Sequence, residues 1–169
     1  MGSALAYFIT WTTYGTRLHG DWRGSVDRDH AVYGSPKLVP NASRLDADFQ
    51  VMKRAPVTLT PEERETVRET LLAHIAHRHW SQHAINVRTN HVHVVVANPG
   101  TLPEQMMGEF KSWSTRRLHE AGHFADYATV WTPHGSTRYI FDADDLLSAI
   151  AYVETAQDDV RRFAAGHHR

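Results

Sequence analysis

Two histidines one residue apart, His91 and His93, and a tyrosine far down the chain, Tyr152, are the side chains best suited to chemistry in this sequence. The histidines lie in Asn90-His91-Val92-His93-Val94-Val95-Val96, where four valines in seven residues predict a buried β-strand. Strand side chains alternate between faces, so His91, His93 and Val95 share one face and Val92, Val94 and Val96 the other. Residues two apart in a strand are roughly 6–7 Å from each other. Two imidazoles can close that span around one divalent metal at about 2.0–2.2 Å per bond. Such a metal, with coordination positions left open, polarises a phosphoryl oxygen. The chain has no cysteine, so the nucleophile must be serine, threonine, tyrosine or water. Tyr152 stands in Ala149-Ile150-Ala151-Tyr152-Val153, within a predicted helix. A tyrosine that attacks a phosphodiester keeps the bond energy in a new diester, so a strand can be cut and rejoined. The competing role for Tyr152 is that of a ring filling a groove on an amphipathic helix.

A His-x-His pair alone means little here. Thirteen histidines in 169 residues supply about one such pair by chance, and the chain has two. The other, His77-Arg78-His79, falls in a predicted helix, where residues two apart point about 160° from each other. Only His91 and His93 have strand spacing on one face.

The length suits one domain, taken as 1–169, with a proper core. Hydrophobic residues at 41% and charged residues at 22% are ordinary for a globular protein. The absence of cysteine excludes disulfides and thiolate metal sites. No apolar run approaches membrane-span length and no signal peptide is visible, so a cytoplasmic location and no membrane partner are expected. A formal charge of −1 carries no signature of a nucleic-acid binder, so any such role must come from local clusters of basic groups.

The elements that must position the candidate residues read as follows. Leu5 to Thr13 is the first strand, dense in aromatic and β-branched residues. From 14 to 57 the chain is irregular, punctuated by glycine and proline, and reads as an insertion. Thr60-Pro61-Glu62-Glu63 starts a helix with a capping box, running to about His79 with Val67, Leu71, Leu72, Ile75 and His74 inward. Trp80–Arg88 and His91–Ala97 form a hairpin about Thr89-Asn90. Leu102–His119 is a second helix, stopped by Gly122, with Met106, Phe110, Trp113 and Leu118 as its buried stripe. Two short strand segments, 130–132 and 137–141, flank a turn at His134-Gly135-Ser136. Asp142 to Asp145 cap a final helix running to about Ala164. The order is strand, helix, strand, strand, helix, strand, helix. It predicts an α+β, ferredoxin-like (RRM-like) antiparallel sheet with helices packed on one face.

Basic residues cluster in two places. Arg17, Trp22 and Arg23 mix charge and aromatic rings in the glycine-rich segment, a composition suited to phosphates and bases. Lys111, Ser114, Arg116 and Arg117 make the second helix basic and hydroxyl-rich, a candidate phosphate-binding surface. Arg138, on the strand before the final helix, is counted with them.

Taken in order, HVHVVV, KSWSTRRL, STRYIF and AIAYVETAQ resemble the single-tyrosine HUH transposases, the insertion-sequence enzymes and their REP-associated relatives. The opening FITWTTYGTRLHGDWRG is similar to the start of some of them. The resemblance implies a metal-dependent nuclease and strand transferase acting on single-stranded DNA with hairpin or inverted-repeat structure, usually as a homodimer. It implies Mg²⁺ or Mn²⁺ on His91 and His93, and Tyr152 as the nucleophile that forms a 5′-phosphotyrosine bond and releases a 3′-hydroxyl. The family often has a third ligand, Gln or Asn, four residues after the tyrosine. Here that position is Ala156, and Gln157 follows, about 140° around the helix from Tyr152 rather than about 40°. Gln157 is taken as the third ligand, with Glu154, about 200° around the helix, as the other nearby candidate and the absence of a third ligand as the alternative. Two other functions stay open: a non-catalytic hairpin-binding module on the same fold, and a phosphohydrolase of small substrates that would not need Tyr152.

Overall fold

In the computed structural model, residues 2–16, 55–98, 100–125 and 128–155 are described, and structural statements concern these residues. The hydrophobic alternation along the chain becomes four strands: β1 (Ala6–Thr13), β2 (Ser81–Val87), β3 (His91–Ala97) and β4 (Trp131–Ile140). The helices are α1 (Pro61–His77), α2 (Pro103–Glu120) and α3 (Ala143–Thr155). The sheet order is β2-β3-β1-β4, and every neighbouring pair is antiparallel. This is the ferredoxin-like α+β arrangement, with β1 and β3 in the middle.

Local chemistry sets the ends of α1. The Glu63 amide donates to the Thr60 hydroxyl at 3.2 Å, and the Thr60 amide donates back to the Glu63 carboxylate at 2.8 Å. The expected capping box is therefore formed at both of its bonds. The helix ends earlier than expected, at His77, and His79 lies beyond it with φ 56. Within α2 the buried stripe is Met106, Phe110, Ser114 and Leu118, each four residues apart. Trp113, expected in that stripe, is 42% exposed. Its ring lies beside His74 and under the Arg116 guanidinium instead.

The two faces of the sheet are covered differently. α1 and α2 pack on the face formed by Ile9, Trp11, Val92, Val94 and Val96, all almost wholly buried. Burial of such side chains contributes about 1.5–3 kcal/mol each. α3 lies on the opposite face, where Ala149 and Val153 meet Ala84, Val95, Ala6 and Ile140. Helices on one face therefore describes the two crossover helices, and the final helix covers the other side. The expected turn at His134-Gly135-Ser136 is part of one continuous β4, with Gly135 opposite Trp11 and Ser136 opposite Thr10. A Cβ on Gly135 would come within 2.5 Å of both the Thr10 carbonyl and the Met107 sulfur, so close approach explains this glycine. Among the described residues no helix is long and apolar enough to cross a membrane.

Candidate active site

His91 and His93 arrive on one face of β3 through strand alternation alone, and it is the face that α3 covers. Their rings stand 4.7 Å apart between centroids at 71°. Each ring is held through Nδ1. The Thr10 hydroxyl, directly across the β1–β3 ladder, is 2.8 Å from Nδ1 of His93. The Asn90 side-chain oxygen lies 2.7 Å from Nδ1 of His91. That oxygen can only accept, so His91 Nδ1 carries a proton toward it. The Thr10 hydroxyl holds His93 through the same ring position. Such outer contacts orient metal-binding imidazoles and raise their basicity.

Tyr152 comes to the same place from α3. Its ring centroid lies 5.6 Å from that of His93 and 5.9 Å from that of Phe8. The side chain is 55% exposed, whereas His93 is only 6% exposed. Small residues permit this approach, because Ala149 and the β-branched Val153 let the helix lie close to the strands. Two polar contacts brace α3. Arg138 of β4 donates to both carboxylate oxygens of Asp145 at 2.6 and 2.8 Å, and its guanidinium lies over the Phe8 ring. Asn86 of β2 donates to the Val153 carbonyl at 2.7 Å. Thr10, Asn86 and Phe8 have no sequence signal of their own, since strand pairing brings them to the site. Asn90, next to His91, was the partner within reach of local reading.

The donor set fits a divalent ion in part. Two imidazoles at this separation can share one metal at about 2.0–2.2 Å per bond. Among the described residues there is no group of three or more histidine or acidic side chains that could hold a metal. Gln157, the expected third ligand, lies outside the described residues, as do Arg17, Trp22 and Arg23.

The expected basic surface on α2 is corrected in two of its members. Ser114 is fully buried, because its position falls on the helix stripe that faces the sheet. Lys111 donates to the carbonyls of Thr132, Pro133 and His134, so it ties α2 to β4. Burial lowers its pKa to about 8. Arg116 and Arg117 are exposed, and both pair with Glu120. They lie on α2, across the sheet from His91, His93 and Tyr152. Arg138 is on the site's own face, where it serves the Asp145 contact.

The arrangement offers two oriented imidazoles beside an exposed phenol, a constellation able to bind a metal and attack a phosphodiester. Comparison with known proteins bears on what it belongs to. The sequence profile of the family described as "Transposase IS200 like" matches residues 49–153. No curated protein sequence matches the chain. Among solved structures, a REP-associated tyrosine transposase bound to a REP hairpin is similar, at 12% identity and a TM-score of 0.53. The match covers 98% of this chain and 70% of that one. A transposase candidate from Deinococcus radiodurans R1 is similar at 16% identity and a TM-score of 0.49, over 91% of this chain and 92% of that one. The family match spans more than half of the chain and contains His91, His93 and Tyr152: the chain belongs to the IS200-like transposase family.

Proposed function

We propose that this transposase is a metal-dependent endonuclease and strand transferase that cuts single-stranded, hairpin-containing DNA through a 5′-phosphotyrosine intermediate on Tyr152. The observation that carries the reading is the approach of the Tyr152 ring to within 5.6 Å of His93, on the face that also presents His91. The hairpin part draws on the structural neighbour, which is bound to a REP hairpin.

Tyr152 Oη attacks the phosphorus, the P–O3′ bond breaks, the phenol proton is released, and the departing 3′ oxygen takes one up. One diester replaces another, so the reverse reaction with a new 3′-hydroxyl rejoins DNA without an external energy source. A Mg²⁺ or Mn²⁺ ion on His91 and His93, with Gln157 as a third ligand, would stabilise charge on the phosphate oxygens. Thr10 and Asn90 keep the two rings turned for that task. Arg17, Trp22 and Arg23 are proposed to bind the DNA backbone and bases. A homodimer belongs to the same proposal, and sedimentation at assay concentration reads it directly, with a monomer counting against it.

Incubation with single-stranded hairpin DNA labelled on the 3′ side of the cut, with Mn²⁺, should yield an SDS-stable protein–DNA adduct. Tyr152→Phe deletes only the hydroxyl, so the fold should persist while the adduct disappears. Cleavage of cognate DNA that never labels the protein, even with rejoining blocked, would remove Tyr152 from the reaction. Binding without cleavage in either protein would instead indicate a non-catalytic hairpin-binding module.

A further inference from the structure

We propose that Asn86 is a positioning residue for strand transfer, holding Tyr152 at its working distance from His93. The inference rests on the roles of Tyr152 and His93 proposed above. Asn86 stands opposite His93 in the β2–β3 register, so the two side chains share the face beneath α3. Directly opposed strand residues have Cβ atoms about 4.5–5.5 Å apart. From this position the Asn86 amide donates to the Val153 carbonyl at 2.7 Å.

That carbonyl belongs to the α3 residue that follows Tyr152. A directional donor from the sheet at this point sets the height of α3 above β2. Val153 adjoins Tyr152, so a carbonyl pinned there leaves the tyrosine backbone little room to slide.

The apolar contacts of α3 cannot supply this registration, because burial of Ala149 and Val153 is non-directional. The Arg138–Asp145 pair is directional but acts at the first turn, about 10 Å along the helix from Tyr152. Phe8 and His93 meet the Tyr152 ring, and Asn86 adds a directional hydrogen bond to the backbone beside it. Its chemistry also suits the place. A neutral amide gives a donor, whereas an aspartate would set a carboxylate against a carbonyl.

The test uses full-length Asn86→Ala and Asn86→Asp with single-stranded hairpin DNA and Mn²⁺. Adduct formation under single-turnover conditions should slow by about 10- to 100-fold, the cost of a misplacement on the order of 1 Å. Affinity for the hairpin and for Mn²⁺ should match wild type. A second readout watches the tyrosine itself. In protein labelled with 3-fluorotyrosine, the ¹⁹F resonance lost in Tyr152→Phe identifies Tyr152, and it should shift or broaden in both variants. Wild-type adduct rates in both variants, or an unmoved Tyr152 resonance, would overturn the proposal. So would a loss explained wholly by weaker DNA or Mn²⁺ binding. If wild-type protein forms no adduct, the nucleophile reading fails, and the ¹⁹F spectra alone decide whether Asn86 positions Tyr152.

Discussion

The ring of Tyr152 meets the ring of His93 edge-on, at 71° and 5.6 Å between centroids, although one sits on the last helix and the other on a central strand. The histidine is buried and the tyrosine exposed, so the pair joins a rigid, oriented nitrogen donor to a hydroxyl that a large substrate can reach.

Replacing His91 or His93 by alanine should abolish DNA cleavage, and chelation with EDTA should do the same to wild type. The two variants should differ in stability. His93 is buried and bonded to Thr10, so its loss leaves a cavity and an unpaired hydroxyl, costing about 1–3 kcal/mol. His91 is partly exposed and should cost less. Urea titration beside the cleavage assay checks both. Cleavage that persists in EDTA would end the metal role.

Thr10→Val conserves shape and removes the hydroxyl that faces Nδ1 of His93. Loss of such an outer partner typically lowers metal affinity or activity by about 10- to 100-fold. Mn²⁺ titration of cleavage should show the half-maximal concentration rising in this variant. An unchanged titration curve would mean that strand packing alone orients His93.

Arg116 and Arg117 pair with Glu120 on a helix across the sheet from Tyr152. The double alanine variant should therefore leave adduct formation and the salt dependence of hairpin binding unchanged. Each lost phosphate contact reduces the slope of log K against log salt by about one unit. A slope lowered by that amount would show that DNA wraps onto α2.

Lys111 predicts a pH effect on stability. Burial lowers its folded-state pKa to about 8 from its ordinary value of 10.5. Between those values the unfolded chain holds a proton that the folded chain has released, so stability gains with rising pH. Below pH 8 both states are protonated and the burial penalty is present in full. Wild type should thus gain stability relative to Lys111→Met as pH rises from 7.5 to 10, as on the order of two pH units are crossed. Urea midpoints across that range test it. A constant difference would mean that the carbonyls of Thr132, Pro133 and His134 hold the ammonium and cancel the burial effect.

What the sequence determined by itself is the local part. Alternation along Val92–Val96 placed both histidines on one strand face, and Thr60 with Glu63 specified the start of α1, because these relations span only a few residues. The order of elements, read from the same short-range patterns, also implied the ferredoxin-like sheet. Local reading went astray where two positions on one helix compete. Trp113 is the larger apolar group, yet Ser114 falls on the inward stripe, and spacing from Phe110 and Leu118 outweighs hydrophobicity. The tertiary structure alone decided which face α3 covers, that Thr10 meets His93, that Asn86 reaches Val153, and that Lys111 is bound by β4 carbonyls. Each of these joins groups distant in sequence, and their approach depends on strand order and register. A basic residue looks the same in sequence whether it faces a phosphate, a carboxylate or a ring of carbonyls. Its partner is chosen only when the sheet closes and burial makes an unpaired charge costly.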